Sequence, residues 1–115
     1  MQIYHNPRCS KSRQTLALLQ DAGVDTDILE YLKTPPSRAT LQQLHQALGG
    51  DVRQMLRFKE ELARELGLSP KDTRPDAEWL DILAAHPSLL ERPIVLRGDQ
   101  ARIGRPPETV LELLD

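Results

Sequence analysis

The sequence predicts an α/β domain in which a β-α-β unit and a β-β-α unit share a mixed four-stranded sheet, with helices inserted between the two halves. Three observations predict it. Two short strand-like runs flank one helix-period segment within the first 32 residues. A stretch with helical patterning and no strand signal fills residues 37–86. Two more strand-like runs and a last helical pattern follow it. The 115 residues suit one domain. A chain of this size buries roughly two-thirds of its unfolded surface and needs no disulfide or structural metal to fold.

Gln2 to His5 opens with Ile3-Tyr4 and reads as the first strand. Asn6-Pro7 breaks it. From Ser10 a helix is expected, with Leu16, Leu19 and Ala22 on one face and Gly23 as its stop. Asp27 to Leu32 reads as the second strand, ended by Thr34-Pro35-Pro36. A strand, a helix and a strand in this order make the first two strands parallel. Ser37 can cap a helix carrying Leu41, Leu44 and Leu48, closed by Gly49-Gly50. Asp51 can cap a short helix with Val52, Met55 and Leu56 apolar. Glu60 to Leu66 and Asp76 to Ala85 follow as helices, the latter with Leu80, Leu83 and Ala84 on one face and Pro87 as its stop. Pro93 to Leu96 and Ala101 to Ile103 read as a hairpin around the four-residue loop Arg97-Gly98-Asp99-Gln100. Pro106 or Pro107 can start the last helix, with Val110, Leu111 and Leu114 inward. The order is a thioredoxin-like plan with a helical insertion at about residues 37–86.

Composition excludes several roles. A net charge of −2 gives no reason to expect binding to nucleic acid or to an anionic membrane. No apolar run approaches the ~20 residues that cross a bilayer, and Met1 to His5 does not read as a signal peptide. One cysteine cannot form an internal disulfide, so a cytoplasmic location is expected. Eleven of the fifteen basic residues are arginine, the side chain suited to forked binding of oxyanions, although codon bias produces the same excess.

The chemistry centres on Cys9, in Asn6-Pro7-Arg8-Cys9-Ser10-Lys11-Ser12-Arg13. A strand-to-helix turn sets free N–H groups and the positive helix end beside the sulfur, and Arg8, Lys11 and Arg13 add charge. Such surroundings lower a thiol pKa and make the thiolate nucleophilic at neutral pH. The same N–H groups can hold an oxyanion. The alternative is a small core residue, a common fate of unpaired cysteine. Ser12 lies one turn on, where its hydroxyl can donate to the thiolate. The pattern is Cys-x-x-Ser, so a full redox cycle needs an outside thiol. His5, as imidazolium, can lower the thiol pKa further; a locally bonded strand-end histidine is the other reading. His45 and His86 have no ligand-spaced partner, so no metal site is expected. Trp79 and Phe58 read as packing residues, and Glu60, Glu61 and Glu108 as solvated charges.

These motifs resemble the glutaredoxin-linked arsenate reductase family, the ArsC type with a thioredoxin-like fold. Five clusters in order carry the resemblance over nearly the whole chain. They are Ile3-Tyr4-His5-Asn6-Pro7 with Cys9, Ser12 and Arg13; Tyr31-Leu32 before Pro35-Pro36-Ser37-Arg38; Val52-Arg53 with Leu56-Arg57; His86-Pro87 with Leu89 and Arg92-Pro93-Ile94-Val95; and Gly104-Arg105-Pro106. The resemblance implies that Cys9 is the nucleophile, supported by His5 and Ser12. It implies that Arg57, Arg92 and Arg105 hold arsenate, and that Arg92-Pro93 occupies the cis-proline position of such folds. Arg53 and Arg102 are expected to be structural. It also implies glutathione as co-substrate, glutaredoxin as partner and no bound cofactor; a monomer is expected.

The chain departs from that pattern in two places. Resistance-operon members resemble it but run on past Asp115 with a charged tail. Gly104 stands where some members carry a second cysteine. Two rival readings follow. One is a glutathione-dependent thiol-disulfide oxidoreductase of the same fold. The other is a non-enzymatic regulator resembling the Spx group, against which Ser12 argues, because that group typically carries Cys-x-x-Cys.

Overall fold

A computed structural model of the chain describes residues 1–114. Four strands form one sheet: β1 (Gln2–His5), β2 (Asp27–Glu30), β3 (Ile94–Arg97) and β4 (Gln100–Ile103). Their order is β2-β1-β3-β4. β1 runs parallel to β2 and antiparallel to β3, and β4 closes the hairpin with β3, so the sheet is mixed. Four α-helices accompany it: α1 (Ser10–Asp21), α2 (Arg38–Leu48), α3 (Glu61–Glu65) and α4 (Asp76–Ala85). Three 3₁₀ segments complete the described residues, at Val52–Met55, Pro87–Leu89 and Pro107–Leu114.

Alternation along the strands sorts the core into two layers. Ile3 and Val95 point to one face, where they meet Leu19 of α1 and Val110 and Leu113 of the last segment. Tyr4, Ile94 and Ala101 point to the other, under Leu41 and Leu44 of α2 and Trp79, Leu80 and Leu83 of α4. The inserted helices thus form the lid of the larger core layer. Each fully buried leucine there contributes about 1.5–3 kcal/mol relative to exposure. Trp79 meets Phe58 edge-to-face at 5.6 Å, so both are packing residues as the sequence suggests. No helix among the described residues is long and apolar enough to cross a membrane.

Four local expectations need correction, each for a physical reason. β2 stops at Glu30 and not at Leu32, because the Glu30 carbonyl accepts both Lys33 N–H and Thr34 N–H and closes a turn. The β3–β4 loop is Gly98-Asp99 alone, since Arg97 already pairs with Gln100. Gly98 has φ of +61° and no other residue type takes a positive φ among the described residues, which is the type II′ pattern. The inward face of α1 is Ser12, Thr15 and Leu19, and Ala22 is exposed. Thr15 is tolerated inside because its hydroxyl donates to the Lys11 carbonyl at 2.8 Å. The last segment is a 3₁₀ helix, so its inward residues recur every third position, at Pro107, Val110 and Leu113. Leu111 and Leu114 are only partly buried.

Candidate active site

The turn between β1 and α1 is built by Asn6. Its carbonyl accepts Cys9 N–H at 3.0 Å, its side-chain oxygen accepts Arg8 N–H at 3.0 Å, and its own N–H donates to Ser12 Oγ at 3.1 Å. Arg13 reaches back to the Pro7 carbonyl at 2.9 Å. Cys9 thereby becomes the N-cap of α1, with extended backbone angles, φ −93° and ψ 123°. This is the position from which a side chain faces the free N–H groups two and three residues on. The thiol is half-buried.

Burial pushes the Cys9 thiol up. The backbone N–H of Ser12, the Arg92 guanidinium, the N–H of Lys11 and the Arg105 guanidinium together outweigh it and leave the pKa below the ordinary thiol value. Neither N–H closes a hydrogen bond of normal geometry to the sulfur, so they act as a field at the helix end. The Arg8, Lys11 and Arg13 side chains are exposed. The side-chain charges that bear on the sulfur come instead from Arg92 and Arg105, more than 80 residues away in the chain.

His5 and Ser12 stand behind the sulfur. His5 Nδ1 lies 2.6 Å from Ser12 Oγ, and both residues are buried. Burial pushes the His5 pKa down, against a pull upward from Glu30, so the ring is uncharged at neutral pH. Of the two readings the sequence left open, this favours the locally bonded strand-end histidine over the imidazolium. The Ser12 hydroxyl is likewise engaged by His5 and Asn6 N–H and not aimed at the thiolate. Ser12 acts on Cys9 through its backbone N–H, and the His5–Ser12–Asn6 chain fixes the turn that presents the sulfur.

The arginines arrive from two connections. The Leu56–Leu90 bridge, with Arg57 N–H on the Leu89 carbonyl at 2.8 Å and Glu91 N–H on the Met55 carbonyl at 2.7 Å, ties residues 55–57 beside residues 89–91. Gly104 N–H donates to the Pro93 carbonyl at 2.9 Å and ties Arg105 beside Arg92. The Arg92–Pro93 bond is cis, as the family position implies, and so is Arg105–Pro106. Arg105 Nη2 stands 3.7 Å from Cys9 Sγ, while its Nε donates to the Arg92 carbonyl at 2.9 Å. Arg57, Arg92 and Arg105 line one open cleft of about 440 Å³. Two of the three reach the sulfur's field. Arg57 is not among the charges that shift the thiol and is paired with Glu60 at 2.9 Å.

Sequence reasoning missed Glu91. Its carboxylate meets both Arg92 Nη1 and Arg105 Nε at 3.1 Å. The only available signal was its place beside Arg92. Glu60, read as a solvated charge, is the partner of Arg57. Gly104 has a steric reason: a Cβ there would stand 2.6 Å from Thr15 Oγ1 and 2.8 Å from the Pro93 ring. A second cysteine cannot enter at that position without moving Thr15 or Pro93. Arg53 and Arg102 are engaged elsewhere, with Asp51 and with Glu112. No group of three or more His, Cys, Asp or Glu side chains among the described residues could hold a metal ion.

A thioredoxin-like sheet carries Cys9 at the N-cap of α1 with the Arg92 and Arg105 guanidiniums beside its sulfur. Comparison with known proteins gives the family. The ArsC family model matches residues 4–113, and the chain belongs to that family. It is 52% identical over 113 residues to an arsenate reductase of Haemophilus influenzae, covering 97% of each chain. It is 43% identical over 112 residues to an arsenate reductase of Escherichia coli, covering 97% of this chain and 79% of that protein. The solved structure of an arsenate reductase from Vibrio cholerae superposes with a TM-score of 0.89 at 50% identity, covering 97% of each chain.

Proposed function

We propose that this protein reduces arsenate to arsenite, with Cys9 as nucleophile and glutathione and glutaredoxin as external thiols. The observation that carries the reading is the contact between the Arg105 guanidinium and the Cys9 sulfur, at 3.7 Å, made by an arginine that also lines a cleft with Arg57 and Arg92. Two negative species repel, and fixed guanidiniums offset the repulsion and the charge that builds up as sulfur attacks an oxyanion. Arsenate is tetrahedral and presents paired oxygens that match the guanidinium fork. The relatives named arsenate reductase support the same substrate.

The Cys9 thiolate forms a bond to arsenic, and one arsenic oxygen leaves as water after protonation. Glutathione then attacks the adduct. Glutaredoxin resolves the mixed species, and arsenite departs. Overall, two external thiols supply two electrons and become one disulfide, while arsenate becomes arsenite and water. Arg92 and Arg105 bind and neutralise the oxyanion next to the sulfur; Arg57 lines the same cleft. His5 and Ser12 position the Cys9 turn. The protein works as a monomer in this scheme, with no resident cofactor.

A thiol-disulfide exchange role on this fold would need only the thiolate. The two guanidiniums beside the sulfur, Arg92 and Arg105, favour an anion over a neutral disulfide. The test is arsenate reduction coupled to glutathione and glutaredoxin. Wild type is expected to turn over and Cys9→Ser to be inactive. Turnover by Cys9→Ser, or thiol transfer by wild type without arsenate reduction, would contradict the reading.

A further inference from the structure

Charge is spread unevenly along this chain. Residues 1–20 hold three basic side chains, Arg8, Lys11 and Arg13, and no acidic one. The rest of the chain holds twelve basic and seventeen acidic side chains, so the whole is negative, at −2. All three cations lie within four residues of Cys9, and all three are exposed. Ser12 and Thr15 point into the core, so at 3.6 residues per turn Lys11 and Arg13 flank the start of α1 on its two sides. Arg8 precedes the sulfur in the turn, and Pro7, Ser10 and Gln14, exposed beside them, carry no charge.

Nothing within the described residues accounts for this rim. Arg8, Lys11 and Arg13 enter none of the ion pairs among them. Arg13 is held by the Pro7 carbonyl at 2.9 Å, which leaves its charge outside. The thiol draws its side-chain charge from Arg92 and Arg105 instead. The helix opposes the three cations, because its N-terminal end is the positive one and favours acidic residues. The first turn of α1 has none. Cations kept against a helix end, unpaired, around the one nucleophile are placed for something outside the molecule.

We infer that Arg8, Lys11 and Arg13 form the docking rim for a protein thiol donor whose reactive thiol is flanked by carboxylates. The inference rests on the outside-thiol cycle proposed above and gives its protein partner a surface. With one cysteine in the chain, the thiol that clears Cys9 comes from another molecule. A single exposed ion pair with a small solute gains little. A protein face meets several cations at once, and complementary faces speed encounter and fix orientation. The local positive pole also lets an acidic protein approach a chain that is negative overall. In the docked pair the donor thiolate attacks the glutathione sulfur of a Cys9–glutathione disulfide. The bond between the two sulfurs breaks, Cys9 leaves as a thiolate, and a donor–glutathione disulfide forms. The donor sulfur is oxidised and Cys9 is reduced.

The test converts Cys9 to its glutathione disulfide with oxidised glutathione and times loss of the adduct by mass spectrometry, in wild type and in Arg8→Gln/Lys11→Gln. Three thiols are compared: a glutaredoxin with carboxylates flanking its thiol, the same glutaredoxin with those carboxylates changed to lysine, and glutathione. With the acidic glutaredoxin the double variant should be about tenfold slower than wild type. The gap should close between about 20 mM and 500 mM salt. The lysine form should be slow on both proteins, and glutathione should differ less than about twofold between them. The double variant should melt at the same or a higher temperature, because cations have left the positive helix end. An unchanged rate with the acidic glutaredoxin, or a lysine form as fast as the acidic one, would overturn the inference. An equal loss with glutathione would overturn it too, since the rim would then attract any anionic thiol. A lowered melting temperature would make the rim structural and overturn it as well. Arsenate takes no part in this assay, so a failure here leaves the arsenate reading in place, and a failure of arsenate reduction leaves the rim in place.

Discussion

Two arginine clusters in this chain use the same side chain in opposite ways. In the helical insertion Arg53 and Arg74 are matched one-to-one with carboxylates. Arg53 engages Asp51 through two of its nitrogens and the Pro70 carbonyl at 2.8 Å through the third. Arg74 pairs with Asp72 and lies 4.9 Å from the Trp79 ring centre. The bonds from Arg53 hold the Asp51 carboxyl down to about 2. At the end of the sheet, by contrast, Arg92 and Arg105 share one carboxylate, Glu91, and Arg92 Nε has no partner among the described residues. A fully matched guanidinium holds a loop. An under-matched one has charge left for something that arrives from outside, and here it is left beside the Cys9 sulfur.

The contrast can be broken by exchanging the clusters' roles in mutagenesis. Arg92→Ala and Arg105→Ala should each cost at least about 2 kcal/mol of transition-state stabilisation, read from kcat/KM for arsenate, as for loss of one oxyanion donor. Arg53→Ala should lower the melting temperature and leave kcat/KM unchanged. Near-wild-type rates in Arg92→Ala and Arg105→Ala, or a catalytic defect in Arg53→Ala, would erase the distinction. A smaller effect is expected from Gly104→Ala. The added methyl must displace Thr15 or Pro93, and overpacking of this kind destabilises by about 1–3 kcal/mol. Urea unfolding measures it, and unchanged stability would show that the Arg105 segment is looser than described. The smallest is Glu91→Gln. It keeps acceptors for both guanidiniums and removes the charge that competes with an oxyanion, so KM for arsenate should fall a few-fold. A raised KM would mean that Glu91 chiefly orients the arginines.

The fold was largely legible in the residues, because strands and α-helices announce themselves by period. The β-α-β start, the boundaries of α4 and the Ser37 cap follow from apolar spacing and capping chemistry, and Ser37 does accept Thr40 N–H. What periodicity could not supply was the choice between helix types. Pro107–Leu114 carries enough apolar residues to suit either period, and the sheet it packs on selects every third one. The polar inner face of α1 was hidden for a related reason: Ser12 and Thr15 are buried because His5 and the Lys11 carbonyl satisfy them, and such pairings are made in space. The site divides in the same way. Cys9 at a strand-to-helix turn is a local feature and was readable from the turn residues. Arg57, Arg92 and Arg105 were found through family motifs alone, since they meet only through the Leu56–Leu90 bridge and the Gly104–Pro93 bond. Glu91 escaped notice because its meaning lies in partners that only the fold brings together.

The most direct measurement is the titration of Cys9 itself, by its rate of alkylation with iodoacetamide from acidic to alkaline pH, in wild type and in the Arg92→Ala/Arg105→Ala double variant. In wild type the rate should rise through an inflection below that of an unperturbed cysteine in a short peptide, because guanidinium and N–H groups favour the thiolate more than burial opposes it. In the double variant the inflection should move to higher pH, since burial then acts against fewer charges. An inflection at or above the ordinary value in wild type, or one that stays in place when both arginines are removed, would contradict a thiolate sustained by under-matched arginines.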